Sequence, residues 1–209
     1  MRITAVFGSP RKGGNSDTLA EAFLQEAQGG KADVQHFHLR QLSFKGCQGC
    51  NACKTEREDC VLRDDLTPVL EAVRACDALV LATPVYFYDV PAQMKGFIDR
   101  WYSFFKPEFY NRPDASRLPA GKDAVLVLAQ RAPEERFKDL AQRYDYLFKR
   151  FGFKPMHLIR GCGLGDAKDA AQREDLLARA REIARKVLAG KPSDLDIPPY
   201  YPLAQAQPK

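Results

Sequence analysis

The sequence holds no apolar stretch approaching the roughly 18 residues that a membrane-spanning helix needs, and its N-terminus lacks the basic-then-apolar pattern of a secretory signal. These absences point to a cytoplasmic chain with no membrane partner. Six cysteines in 209 residues are too few for a disulfide scaffold. No internal repeat divides the chain. Neither sign of charge gathers into a block: 32 Lys and Arg against 27 Asp and Glu leave a formal +5, spread among acidic residues as a mixed, solvated surface. That pattern argues against a nucleic-acid partner and leaves anionic small ligands open. What is abundant is apolar material, 45% of residues beside 28% charged, enough for one sizeable core and too much for a disordered chain.

Three short runs rich in Val, Leu and Ile, Ile3 to Phe7, Ala78 to Ala82 and Ala124 to Ala129, have the near-continuous apolar character of parallel strands covered on both faces. Between and after them, apolar residues recur at three- and four-residue steps: Ala20, Phe23, Leu24, Ala27; Leu66, Val69, Leu70, Val73; Met94, Phe97, Ile98, Trp101, Phe105; Phe137, Leu140, Ala141, Tyr144, Leu147; and Leu176, Ala180, Ile183, Val187. A run at Met156 to Ile159 adds a strand, and the partly polar Val34 to Leu39 suits an edge. The alternation predicts an α/β fold, a doubly wound five-stranded parallel sheet of order 2-1-3-4-5 with helices on both faces. Residues 1–190 are expected to form one domain, with a cysteine loop at 46–61 after strand 2. The Pro-containing segment 191–209 is expected to be an extended tail.

In such a sheet ligands sit beyond the carboxyl ends of the strands where strand order reverses, between strands 1 and 3. The loop after strand 1 reads Gly8-Ser9-Pro10-Arg11-Lys12-Gly13-Gly14-Asn15-Ser16 and leads directly into a helix. Free backbone N–H groups at that helix start, donors on Ser9, Asn15 and Ser16, and the charge of Arg11 make an anion cradle. It is neither a Walker loop, which would need Lys and Ser or Thr after Gly13, nor a Gly-x-Gly-x-x-Gly fingerprint. Strand 1 is followed by no acidic residues, which argues against a phospho-aspartate receiver. The loop after strand 3, Thr83-Pro84-Val85-Tyr86-Phe87-Tyr88-Asp89-Val90-Pro91, brings three consecutive aromatics to the same end of the sheet. A flat ring system beside a phosphate cradle makes flavin mononucleotide (FMN) the economical ligand.

The Gly-Ser-Pro-Arg loop, the Thr-Pro-Val-Tyr loop and the segment Gln93-Met94-Lys95-Gly96-Phe97-Ile98-Asp99-Arg100 together resemble the NADPH-dependent FMN reductase family of flavodoxin-like proteins, over most of residues 1–190. The resemblance implies that Ser9, Arg11, Asn15 and Ser16 grip the FMN phosphate and that Pro84, Val85, Tyr86 and Phe87 line the isoalloxazine ring. Gln130 and Arg131, at the end of strand 4, match a ring-pocket motif only loosely. Resemblance also implies NAD(P)H as co-substrate and a homodimer or homotetramer.

Cys47-x2-Cys50-x2-Cys53-x6-Cys60 lies between the edge strand and the next helix. Thiolates are soft ligands, and two-residue spacings let a short loop turn several sulfurs toward one centre. Spacing alone leaves three states open: an iron–sulfur cluster, zinc, or free or oxidised thiols. The pattern differs from the bacterial ferredoxin run, which has three residues before its fourth Cys and a Pro after it. It is similar to that of the iron–sulfur flavoproteins, a branch of the same family with one [4Fe–4S] cluster beside FMN. Cys76 and Cys162 have no cysteine neighbours and read as free thiols.

A flavin carries its own redox chemistry, so no catalytic side chain is expected, and the three histidines receive no role. The expected function is transfer of electrons from NAD(P)H to flavin, quinone or another small acceptor. Two alternatives stand beside it: an iron–sulfur flavoprotein fed by ferredoxin, and a non-catalytic flavodoxin-like carrier or redox sensor. Flavodoxins proper are acidic, so the +5 charge counts against the carrier.

Overall fold

The apolar runs form parallel strands β1 (Arg2–Phe7), β2 (Asp33–His38), β3 (Ala78–Pro84), β4 (Asp123–Ala129) and β5 (His157–Gly161). They are hydrogen-bonded in the order β2-β1-β3-β4-β5 in the computed structural model, which describes residues 1–198 and 200. The helices are α1 (Asn15–Gly29), a single turn α2 (Ala52–Thr55), α3 (Leu66–Ala75), α4 (Ala92–Asp99), α5 (Lys138–Arg150) and α6 (Glu174–Leu188). This is the expected doubly wound topology. Strand periodicity divides the core in two: Ile3, Ala5, Phe7, Val80 and Val127 pack with residues of α1 and α6. Val6, Leu81 and Leu126 pack with residues of α3, α4 and α5 on the other face. With both faces covered, the central strands must be apolar at nearly every position. Edge strand β2 is exposed at Asp33, Gln35 and His36, which is why its sequence is partly polar. No helix among the described residues is long and apolar enough to cross a membrane.

One helix departs from its periodicity. The pattern Met94 to Phe105 predicts a single helix, but α4 stops at Asp99 and a 3-10 turn spans Arg100–Phe104. Arg100, Trp101, Ser103 and Phe104 are all buried, and three residues per turn set Arg100 above Ser103 and Trp101 above Phe104 on the inward side. The tighter winding is held by Ser103 Oγ donating to Arg100 O at 2.9 Å, and Trp101 meets Phe97 and Phe151 edge-on.

Beyond the strands the ladder continues into the loops. Gly8 N–H donates to Ala82 O at 2.8 Å, Val85 N–H to Ala129 O at 2.9 Å and Gln130 N–H to Gly161 O at 2.8 Å, so three loops leave the sheet from fixed positions. Gly8 is required by space: a Cβ there would lie 2.6 Å from Met94 Cε and 2.8 Å from Met94 Cβ. Residues 191–198 of the tail are irregular. Asp194 pairs with Arg179 and Lys186, and Ile197 packs on the core. The expected extension of residue 199 and residues 201–209 lies outside the described residues.

Candidate functional site

A cavity of about 230 Å3 opens at the carboxyl end of the sheet, where the loops after β1 and β3 diverge. From the first loop it is lined by Ser9, Arg11, Gly14, Asn15 and Ser16; from the second, by Pro84 and Tyr86. Gly14 is the N-cap of α1 and places no side chain over the first turn, so the helix start offers bare N–H groups to an anion. Ser16 Oγ is buried and has no hydrogen-bond partner among the described residues. A buried hydroxyl without a partner is costly, and a phosphate oxygen in the cavity would satisfy it. The cradle therefore fits a phosphate ester.

The other polar groups hold the loop in shape. Arg11 N–H donates to Ser9 Oγ at 3.1 Å, and the Ser9 hydroxyl donates to Arg11 O at 3.1 Å, which folds the loop back on itself. Asp17, 1% exposed, accepts from Gly13 N–H at 3.2 Å and from Arg40 at 3.1 Å. Burial pushes its carboxyl above the ordinary range, and the Arg40 charge opposes that rise.

Asn15 does something the sequence did not announce. Its Nδ2 donates to Asp166 O at 2.7 Å, and its Oδ1 accepts from Ala170 N–H at 2.9 Å. The side chain thus ties the β5–α6 loop to the mouth of the cavity, and Leu164, Gly165, Asp166 and Ala167 of that loop form a further wall. The available signal was the glycine-rich run Gly161-Cys162-Gly163-Leu164-Gly165 at the carboxyl end of β5, the same end of the sheet as the cradle. Arg131 lines the cavity. Its neighbour Gln130 is 2% exposed and serves as a staple: Nε2 donates to the carbonyls of Ala132, Pro133 and Arg136, and Oε1 accepts from Arg160.

In the second loop the structure separates the aromatics. Tyr86 and Asp89 exchange backbone hydrogen bonds at 2.7 and 3.0 Å around a two-residue turn whose centre, Phe87 (φ 39°) and Tyr88 (φ 72°), is left-handed. Both φ values are positive, as in a type I′ turn, at a cost of about 1–2 kcal/mol per non-glycine residue. Strain of this kind collects at ligand clamps. Pro84 and Tyr86 reach the cavity, Val85 packs against the core, and Phe87 projects outward at 96% exposure. Tyr88 rests edge-on against Phe137, and Asp89 is anchored by Arg143 at 2.9 Å.

The cysteine loop forms a second centre. Cys47, Cys50, Cys53 and Cys60 all border one small cavity, together with Leu62, Arg100, Tyr102 and Ser103. Left-handed Gly49 and Asn51 kink the chain between the thiols. Cys53 is buried, Cys60 half-buried, and Cys47 and Cys50 exposed; all are free. Lys54 Nζ donates to Tyr102 O at 2.6 Å and Phe105 O at 2.9 Å and lies 3.4 Å from Cys53 Sγ. Its burial lowers its pKa. Arg117 Nη1 donates to Cys53 O and Ser103 O at 3.1 and 3.0 Å. The sulfurs are not drawn to one point: among the described residues no three His, Cys, Asp or Glu side chains are placed to hold a metal ion. The donor chemistry of four thiols around one cavity nevertheless fits a thiophilic metal centre such as an iron–sulfur core. Burial raises the pKa of Cys76 and Cys162, away from this loop.

Comparison with known proteins agrees with this architecture. The family described as NADPH-dependent FMN reductase matches residues 1–127. An iron-sulfur flavoprotein of Archaeoglobus fulgidus is 31% identical over 94% of this chain and 86% of its own length. Among solved structures, an NAD(P)H:quinone oxidoreductase from Methanothermobacter marburgensis superposes with a TM-score of 0.67 at 22% identity, covering 90% of this chain and 96% of that one. An FMN-dependent NADH-azoreductase from Bacillus anthracis, solved with FMN, has a TM-score of 0.67 at 13% identity, covering 90% of this chain and all of the other. With the switch-point cradle in place and this similarity along its length, the chain belongs to the NADPH-dependent FMN reductase family.

Proposed function

We propose that the chain is an FMN-dependent oxidoreductase that moves electrons from NAD(P)H to a small acceptor such as a free flavin or a quinone. The observation that carries this reading is the cradle: a buried Ser16 hydroxyl with no partner among the described residues, at a helix start with no side-chain cap, in a cavity continuous with Pro84 and Tyr86. Bound FMN would supply the acceptance and release of a hydride or of single electrons. The chain's residues bind and orient. Ser9, Arg11, Asn15 and Ser16 form the phosphate end, Asn15 through its backbone and its hold on the β5–α6 loop. Pro84, Tyr86 and Arg131 wall the ring end, Val85 backs it from the core, and Phe87 stands on the outer rim where an acceptor or a second copy of the chain would meet it. We read residues 1–190 as the flavin domain of a cytoplasmic homodimer or homotetramer.

A second reading is favoured by a specific observation, the four thiols around one cavity. In it, Cys47, Cys50, Cys53 and Cys60 hold a [4Fe–4S] cluster through which ferredoxin feeds the flavin. The test takes protein purified without oxygen and assays flavin, iron and acid-labile sulfide on one sample, then turnover with NADPH or NADH and FMN or a quinone. Steady turnover supports the oxidoreductase. No turnover, with flavin bleached by reduced ferredoxin, rejects the pyridine-nucleotide route, and no turnover with any donor leaves the carrier.

A further inference from the structure

Arg100 is the most deeply buried cation next to the cysteine loop, with a side chain 0% exposed. Its Nη1 donates to Lys45 O at 2.9 Å and to Asp64 Oδ2 at 2.8 Å, and its Nη2 to Leu62 O at 3.0 Å. Lys45 lies two residues before Cys47 and Leu62 two residues after Cys60, so one guanidinium fastens both ends of the loop. Asp64 reinforces the closure by accepting from Lys45 N–H at 3.2 Å. A guanidinium has five N–H donors. The one on Nε is buried and has no partner among the described residues, and Arg100 is part of the wall of the cavity that the four cysteines border.

An unpaired buried N–H is costly, and in a cavity bordered by four cysteines a thiolate or sulfide is a far stronger acceptor than a thiol sulfur. We propose that Arg100 is a positioning residue for the sulfur-ligated centre. Its terminal nitrogens lock the loop ends together, and its Nε–H donates to a thiolate or sulfide of the group held by Cys47, Cys50, Cys53 and Cys60. This rests on the iron–sulfur reading above. Hydrogen bonds to cluster sulfurs stabilise the reduced, more negative state and raise the reduction potential. Because Asp64 pairs with the guanidinium, the effect comes from the directed N–H more than from net charge.

The test compares wild-type protein with Arg100→Lys, both purified without oxygen. Lysine keeps the charge and can reach the loop-end carbonyls, but it has no donor at the Nε position. Flavin content and unfolding midpoint report the fold; iron and sulfide report loading; an EPR-monitored redox titration reports the potential. The expected result is a loaded, flavin-containing variant whose potential is shifted negative. Poised at the wild-type midpoint, its reduced-to-oxidised ratio should fall about tenfold, or about 59 mV for one electron. A loaded variant with an unchanged potential overturns the assignment of Arg100 and leaves the iron–sulfur reading standing. If the variant does not fold or load, wild-type protein labelled with 15N at arginine Nε decides: pulsed EPR of the reduced centre should show a weak nitrogen coupling, and its absence overturns the proposal. Wild-type protein with flavin but neither iron nor sulfide overturns the iron–sulfur reading itself, and this assignment with it.

Discussion

Replacing Ser16 by Ala should move stability and cofactor affinity in opposite directions. In the free chain Ser16 Oγ is buried without a partner among the described residues, and such a group carries a penalty of about 1–3 kcal/mol. Deleting it removes that penalty and places a better helix former in the first turn of α1, so the free protein should unfold at equal or higher denaturant concentration. If the hydroxyl donates to the FMN phosphate, the same deletion loses a hydrogen bond to a charged acceptor worth about 1.5–3 kcal/mol, which weakens Kd about 10- to 150-fold. FMN fluorescence quenching measures the affinity, and urea unfolding of the flavin-free protein measures the stability. Ser9→Ala is the control. Ser9 already donates and accepts within the loop at 3.1 Å, so its loss should lower stability and affinity together. A Ser16→Ala protein that binds FMN within about threefold of wild type, or that loses more than about 1 kcal/mol of free-chain stability, would refute the reasoning.

Gly8→Ala drives a Cβ to 2.6 Å from Met94 Cε and 2.8 Å from Met94 Cβ, an overpacking that should cost about 1–3 kcal/mol and weaken FMN binding as the first loop shifts. Adding Met94→Ala should recover only part of the loss, since Met94 Cβ remains, and a double-mutant cycle checks this. Phe87→Ala should leave free-chain stability within about 0.5 kcal/mol and FMN affinity nearly unchanged, because the ring is 96% exposed. Tyr86→Ala should weaken binding, and FMN titrations of the two variants compare them. His157, 2% exposed on β5, has its pKa lowered from 6.5 chiefly by burial. A depressed folded pKa means stability present above about pH 6.5 and lost as pH falls through the lower folded value. Urea midpoints measured from about pH 7.5 to about pH 5 should therefore decline, and His157→Gln should flatten the slope.

The sheet was legible because burial on both faces writes itself as continuous apolar runs, and its order followed from right-handed crossovers. The cradle was legible because a Gly-Ser-rich loop opening a helix has few other uses. What was hidden depends on partners far along the chain. Asn15 reads as a phosphate donor until Asp166 and Ala170, more than 150 residues away, are seen to occupy its side chain. Gln130 reads as a ring contact until three carbonyls of its own loop claim its amide. Phe87 is separated from Tyr86 by turn chirality, since two successive left-handed residues swing the tip away from the cavity. No local pattern of Tyr-Phe-Tyr encodes that.

Arg100 shows why a helical period can mislead. It lies outside the apolar steps from Met94 to Phe105, yet it is buried, its guanidinium closing the ends of the cysteine loop. The same segment reaches the other site as well. Gln93 Nε2 donates to Gly8 O at 2.9 Å, Met94 fills the space that keeps residue 8 a glycine, and Arg100 binds Lys45 O and Leu62 O. A stretch of eight residues, Gln93 to Arg100, therefore braces the phosphate loop at one end and the cysteine loop at the other. A rigid brace fixes the two loops relative to each other whatever each of them holds, and electron transfer between a flavin and a sulfur-ligated centre would require such fixed geometry. That double attachment gives a physical reason for a Gln, a Met and an Arg at these three positions, where the helical period alone calls only for an apolar stripe.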